Sequence, residues 1–249
     1  MELKNLIMSS EVADIYHCDD FAVKLFKEGR SETEVLYEAL TQARVEEMGL
    51  KVPAIHEVSH INGRWDIQMD FIEGKTLADL MDEDPAHIDK YIEQMLDIQL
   101  EIHTKQMPRL RRMNQKLEKE IGDLTEIDDS KKYELLTKLN SMPKHRKLCH
   151  GNFRPRTIIA SKNGDYVLNW VEAGQGNASE DVANTYLLLC LKYPQKTADK
   201  YLELFCKKTN TDMKYVQDWL PIVAAARLNA NRPEEKDLLM KWLDVIEFQ

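Results

Sequence analysis

The chain has 249 residues, 43% hydrophobic and 31% charged, with a net charge of −9. This is an ordinary globular composition, long enough for one large domain or two intimate lobes. The acidic balance disfavours a general nucleic-acid or anionic-membrane binder, and no apolar run approaches the roughly 18 residues that a membrane-spanning helix needs. Cysteines at 18, 149, 190 and 206 show no CxxC spacing, which argues against a zinc site or a disulfide framework. Free thiols in a reducing cytoplasm fit better, and the opening residues lack a signal peptide's apolar core.

In chain order, three short strands come first: Asn5–Met8, Val12–Tyr16 and Phe21–Phe26. Their turns fall at Met8–Glu11, without glycine and with an added carboxylate, and at His17–Asp20. Ser31 with Glu34 forms a capping-box signature that opens a helix. Its apolar positions are Val35, Leu36, Ala39, Leu40, Ala43 and Met48, and Gly49 ends it. A strand Ala54–Ile61, an Asn62-Gly63 turn and a strand Arg64–Ile72 form a hairpin. His56 and His60 share a strand face with no ligand set around them, which favours a surface or packing role.

From Leu77 the pattern turns helical, first Thr76–Met81 and then Pro85 to about Lys105, with an apolar stripe from Ile88 to Ile102. His103 at its end reads as a structural histidine. A charged helix is expected from Arg109 to about Leu124, where Arg109, Arg111 and Arg112 suit a solvated face better than an anion site. A further helix runs from Ser130 to Leu139. Cys149–Trp170 reads as a loop, His150 to Thr157, and then a hairpin of Ile158–Ala160 and Tyr166–Leu168 around Lys162-Asn163-Gly164-Asp165. This gathers the polar residues Asn152, Thr157 and Asn169 near one hairpin end. Helices are then expected at Val182–Leu191, with Ser179 and Asp181 as helix-start residues, at Thr197–Lys207, at Met213–Ala226 with a kink at Pro221, and at Glu234–Ile246. No repeat, low-complexity run or flexible linker is apparent.

Three stretches carry a family resemblance: Ala22-Val23-Lys24-Leu25-Phe26, then Met69-Asp70-Phe71-Ile72-Glu73-Gly74-Lys75-Thr76-Leu77, and His150-Gly151-Asn152 through the hairpin to Asn169-Trp170. In that order they resemble the aminoglycoside phosphotransferase and choline kinase branch of the protein-kinase-like superfamily. The resemblance implies an α+β, bilobal protein-kinase-like fold: a small antiparallel-sheet lobe over 1–72 and a mostly helical lobe over 73–249 that holds the catalytic-type hairpin 149–170. It implies that Lys24 binds phosphate with Glu38 as its partner, although Glu32, Glu34, Glu46 and Glu47 are also available and such a pair also serves simply to hold helix to sheet. It places Met69, Asp70 and Ile72 at an adenine edge, read by main-chain groups. His150 and Asp181 become the brace of the catalytic loop, which is compatible with a capping role for Asp181.

The resemblance also exposes three departures. Asn152 stands at the family's catalytic aspartate, while Thr157 and Asn169 stand at its two metal-ligand positions. Mg²⁺ prefers carboxylate oxygens, and a neutral amide has no useful basicity near pH 7. Arg154 and Arg156 flank the loop and suit either an anion or solvent. The expectation is a phosphotransferase-family member with impaired catalysis, a pseudokinase that binds ATP, another nucleotide or a small molecule in an interlobe cleft without ordinary Mg²⁺ use. The alternatives are an active kinase acting on a small-molecule hydroxyl and a non-enzymatic interaction protein, the latter suggested by Glu11 and the glycine-poor loop. Substrate and oligomeric state are left open.

Overall fold

The computed structural model describes residue 3 and residues 5–244. The strands are β1 (Leu6–Ser9), β2 (Ala13–Cys18), β3 (Phe21–Phe26), β4 (Ile55–Ile61), β5 (Arg64–Asp70), β6 (Lys75–Thr76), β7 (Lys147–Cys149), β8 (Ile158–Ser161), β9 (Gly164–Val167) and β10 (Gly174–Gly176). The helices are α1 (Glu32–Glu46), α2 (Leu77–Glu83), α3 (Ile88–Ile102), α4 (Met113–Gly122), α5 (Asp129–Ser141), α6 (Ala178–Lys192), α7 (Gln195–Thr209), α8 (Met213–Gln217), α9 (Leu220–Leu228) and α10 (Pro233–Asp244). The mixed α+β class is as expected, with an antiparallel sheet first and helices dominating the remainder. No helix among the described residues is long and apolar enough to cross a membrane.

Two compact units form. One is Met1–Asp82 with Pro155–Glu172, and the other is Glu83–Arg154 with Ala173–Gln249. The first unit therefore extends past the expected boundary at residue 72 and takes in the hairpin β8–β9. Backbone bonding explains this grouping, since Val167 N–H donates to the Lys51 carbonyl at 2.9 Å, and Lys51 Nζ also reaches the Asn163 carbonyl. In addition, α1 packs against the turn Trp170–Glu172.

The first unit is built on a five-stranded antiparallel sheet of order β1-β2-β3-β5-β4. Asn62 and Gly63, with φ of 53° and 79°, close β4 onto β5 in the left-handed turn that this dipeptide favours. Ala13, Phe26, Val35, Ala39 and Ile67 form the core, with Ile55, Val58, Trp65 and Met69 packed around it. The expected capping box of α1 is present, with Ser31 and Glu34 each bonding the other's backbone N–H. The expected apolar face is present only in part: Val35 and Ala39 are buried, but Leu36 and Leu40 are exposed, while Glu38, Thr41 and Gln42 are buried. Polar contacts turn the helix: Glu38 meets Lys24, and Gln42 Nε2 donates to the Pro53 carbonyl at 2.8 Å.

In the hairpin, Ser161 pairs with Gly164, so the turn is Lys162-Asn163 rather than one centred on Asn163-Gly164. Gly164 takes the left-handed angle (φ 106°) as the first residue of β9. β6 pairs with β8 to form a three-stranded sheet.

The second unit is helical, with α6 completely or nearly buried along most of its length. Its small sheet pairs β7 with β10, a pairing of non-neighbouring segments that no local pattern signalled. Arg109–Arg112 precede α4 rather than lying on a helix face, and Arg112 forms an isolated bridge with Gln175. Pro221 does not kink a helix. It sits in the first turn of α9, where its missing N–H costs nothing, after α8 has ended at Gln217. The N-cap of α6 is Asn177, whose side chain accepts from Ser179 N–H, so Ser179 and Asp181 lie inside the first turn. For α10, residues 245 and 246 of the expected span lie outside the described residues.

Gly74 shows how tightly β6 approaches the hairpin. A Cβ there would stand 2.3 Å from the Ala160 carbonyl oxygen and 2.8 Å from Ile159 Cγ2. Gly74→Ala is expected to cost about 1–3 kcal/mol and lower the thermal midpoint by several degrees. Gly122→Ala, where a Cβ meets nothing within 4 Å, is expected to be neutral or slightly stabilising. Thermal denaturation of both variants checks this contrast.

Candidate functional site

In the first unit, Lys24 lies mid-strand on β3 with Ile15 and Ile67 as its cross-strand partners. Its Nζ pairs with Glu38 Oε1, with side chains only 13% and 6% exposed, and also lies 5.1 Å from the Phe26 ring centroid. Of the acids available on α1, Glu38 is the partner because its helical position points to the sheet. Glu34 is taken up by its cap and by Arg30. Met69 ends on the core side of β5, where Gln42 Nε2 lies 3.8 Å from its Sδ. The Asp70 amide is committed to the Ala54 carbonyl at 3.0 Å, its carboxylate binds Ala54 N–H and His56, and the Phe71 amide bonds the Asp20 carbonyl at 3.4 Å. The backbone groups left for a ligand at this strand end are therefore fewer than the sequence suggested, with the Asp70 carbonyl and the Ile72 amide the candidates. His56 and His60 are both exposed, as expected for surface residues, and His60 stacks on Trp65 at 3.6 Å.

Thr157 and Asn169 come together at the open end of the hairpin. Leu168 N–H donates to the Thr157 carbonyl at 2.8 Å, and Asn169 follows directly with φ of 65°. Asparagine and aspartate are the non-glycine residues that best tolerate this left-handed angle, so the backbone shape suits either one and only the charge differs. Thr157 is buried, and its carbonyl is already bonded. A threonine and an amide are a poor donor set for Mg²⁺, and these two residues do not fit that ion.

The second unit holds Asn152, whose N–H donates to His150 Nδ1 at 3.2 Å, fixing the loop locally. Behind that loop lies Asp181, fully buried. It accepts from Gly151 N–H at 2.8 Å, from His150 N–H at 3.3 Å, from Gln99 Nε2 at 3.0 Å and from His103 Nε2 at 3.0 Å. Burial works to raise its pKa, but the donors, led by His103, outweigh it and hold the group down at about 2. Gln99 also donates to Thr185 at 3.1 Å and accepts from Tyr201 Oη. Sequence reasoning missed Gln99 and Tyr201, and the signal was a single amide inside an otherwise apolar stripe of α3.

Two neighbours behave oppositely to Asp181. Glu180 is equally buried, and its Oε2 finds no partner among the described residues. Burial, with Asp181 adding, pushes its carboxyl up to about 8, so it stays neutral at pH 7. Cys149 comes within 4.8 Å of His103 and Asp181, a proximity of potential metal ligands that residues at 103, 149 and 181 hide in sequence. Burial pushes this thiol well up, and it donates weakly to the Asn177 and Lys147 carbonyls at 3.6 Å, while His103 Nε2 bonds Asp181 and His103 Nδ1 has no partner among the described residues. That arrangement is a hydrogen-bonded core rather than a metal centre.

Residues 12–219 match the family model described as the phosphotransferase enzyme family. The chain belongs to the phosphotransferase enzyme family. No curated protein matches it by sequence. Solved structures with the same fold include aminoglycoside phosphotransferase APH(4)-Ia, at 13% identity and a TM-score of 0.69 over 98% of this chain and 92% of that one. LicA in complex with AMP gives 16% identity and a TM-score of 0.69 over 98% and 92%. Amicoumacin kinase hAmiN, in complex with AMP-PNP, Ca2+ and Ami, gives 14% identity and 0.65 over 98% and 90%.

The adjacent acids make opposite predictions. Asp181 ionises below the ordinary aspartate value of 3.8, so the stability it contributes is present above pH 4 and is lost as pH falls toward 2. The stability gap between the parent chain and Asp181→Asn is expected to reach about 3–5 kcal/mol near pH 7 and to shrink below pH 4. Glu180 ionises above its ordinary 4.5, so it weighs against the fold progressively from pH 4.5 to about 8. Glu180→Gln is expected to raise the thermal midpoint by several degrees at pH 8 and to leave it unchanged at pH 4. Thermal unfolding of both variants across pH reads out both effects.

Proposed function

We propose that this phosphotransferase-family chain binds a nucleotide but has lost ordinary metal-dependent phosphoryl transfer. The observation that carries the reading is that Asn152, Thr157 and Asn169, which the resemblance sets at the catalytic and metal positions, carry no charge. Phosphoryl transfer requires positioned reactants and neutralised charge on the phosphates. Lys24, oriented by Glu38, would supply a cation to a phosphate. The Asp70 carbonyl and the Ile72 amide would meet an adenine edge, as the resemblance implies. The relatives solved with AMP and AMP-PNP support a nucleotide as the ligand class.

Asn152 cannot take a hydroxyl proton at neutral pH. Loss of a general base alone lowers the rate on the order of 10²–10⁴-fold, and Thr157 with Asn169 offers no carboxylate to a metal. His150 and Asp181 remain as the brace of the loop, a structural task that outlasts catalysis. The chain would act by binding, as a pseudokinase does.

The expected result of titrating ATP against thermal stability is a saturable rise of the midpoint that is the same with Mg²⁺ and with a chelator. Lys24→Met should abolish it. A rise that depends strongly on Mg²⁺, together with ATP turnover over hydroxyl substrates, would support an active kinase instead, and no rise at all would point to a purely structural interaction protein. The double variant Asn152→Asp with Asn169→Asp is expected to make the ATP effect Mg²⁺-dependent.

A further inference from the structure

The second unit contains a cavity of about 300 Å³ built only from that unit's own elements, and it is separate from the Asn152 loop. It lies where the N-terminus of α6 (Asn177, Ala178 and Ser179) faces the end of α3, the end of α7 and Tyr215 on α8. We propose that this cavity is a binding site for a small organic anion, a carboxylate or phosphate head carried on an apolar body.

Four observations converge on that chemistry. First, α6 is a 15-residue helix, and its first turn is positively polarised. The cap satisfies Ser179 N–H through Asn177 Oδ1 at 2.9 Å, which leaves the Ala178 amide for a ligand. Second, Ser179 is 4% exposed, lines the cavity, and its hydroxyl bonds no described residue. That hydroxyl is a donor that a bound acceptor would take up.

Third, the proton of Tyr215 is unassigned. Asn177 is oriented by its Oδ1 bond to Ser179 and by its Nδ2 bond to the Pro143 carbonyl at 3.0 Å. It therefore donates Nδ2 to Tyr215 Oη, at 2.6 Å. Tyr215 accepts there, and its own O–H remains to donate into the cavity that it lines. Fourth, the lining holds no carboxylate in a chain of net charge −9, yet the exposed side chains of Lys147 and His145 stand at it. Cationic side chains and donors with no carboxylate among them favour an anion. Leu100 and Phe205 supply an apolar wall, and the volume is at the small end of ligand pockets. A small acid fits.

The test uses the full chain, isotopically labelled, titrated separately with sodium benzoate and inorganic phosphate at matched ionic strength. Saturable shifts confined to the Ala178, Ser179 and neighbouring amides are expected, with millimolar affinity or better. Lys147→Gln on the exposed rim and Ser179→Ala inside are each expected to weaken binding about tenfold, the loss of one charge-assisted contact. Binding of benzoate alone assigns a carboxylate ligand, and binding of phosphate alone assigns a phosphate ester. Each of those results supports the site. No saturable shift up to about 20 mM of either anion would overturn the proposal, as would binding that both variants leave unchanged.

Discussion

One ionised carboxylate organises the helical unit. Asp181 is fully buried, and an uncompensated charge at that depth would be prohibitively costly. It is tolerated because four N–H groups converge on it: two from the loop at His150 and Gly151, and two from α3 at Gln99 and His103. The same four bonds fix the loop that presents Asn152 to the helices behind it. Tyr201 holds Gln99, and Asn184 Nδ2 holds the Gly151 carbonyl at 2.8 Å, so the network has a second layer. Glu180, one residue earlier and without donors, resolves the same problem by keeping its proton. Adjacent acids at equal burial thus reach opposite states according to whether hydrogen-bond donors reach them.

The other unit repeats the pattern with one ion pair. Lys24 and Glu38 fix α1 to the sheet, and the helix rotates to serve that contact even at the expense of exposing Leu36 and Leu40. Neither network depends on the residues that differ from the family pattern. Asn169 keeps the left-handed backbone that aspartate would also accept, and Asn152 keeps its bond to His150. Exchanging oxygen for an amide nitrogen at these sites alters charge and basicity and leaves shape alone. On the reading proposed above, the fold stays intact while the residues assigned to catalysis lose their charge.

What was legible in the sequence was what local chemistry decides. The capping box at Ser31, the Asn62-Gly63 turn, the Lys24 strand and the order of the elements all follow from neighbours within a few residues. The rest needed contacts across the chain. The inward face of α1 was misjudged because apolar periodicity ignored a polar face that finds Lys24 and Pro53. Pro221 looked like a kink because a proline signals either a bend or a start. Gln99 carried no signal within the α3 stripe, although it is a pillar of the Asp181 network. Cys149 looked isolated because its neighbours, His103 and Asp181, lie more than thirty residues away in either direction. The β7–β10 pairing likewise joins segments that share no local signature.

On the proposed reading, the scaffold stands without a metal held at Thr157 and Asn169. Mn²⁺ substitutes for Mg²⁺ at oxygen sites and is visible by electron paramagnetic resonance, so a titration of Mn²⁺ into the chain saturated with ATP tests it most directly. The account predicts that the spectrum matches Mn²⁺ with ATP alone, because Thr157 and Asn169 add no effective ligands. A distinct, stoichiometric protein-bound Mn²⁺ signal that disappears in Asn169→Ala would contradict it.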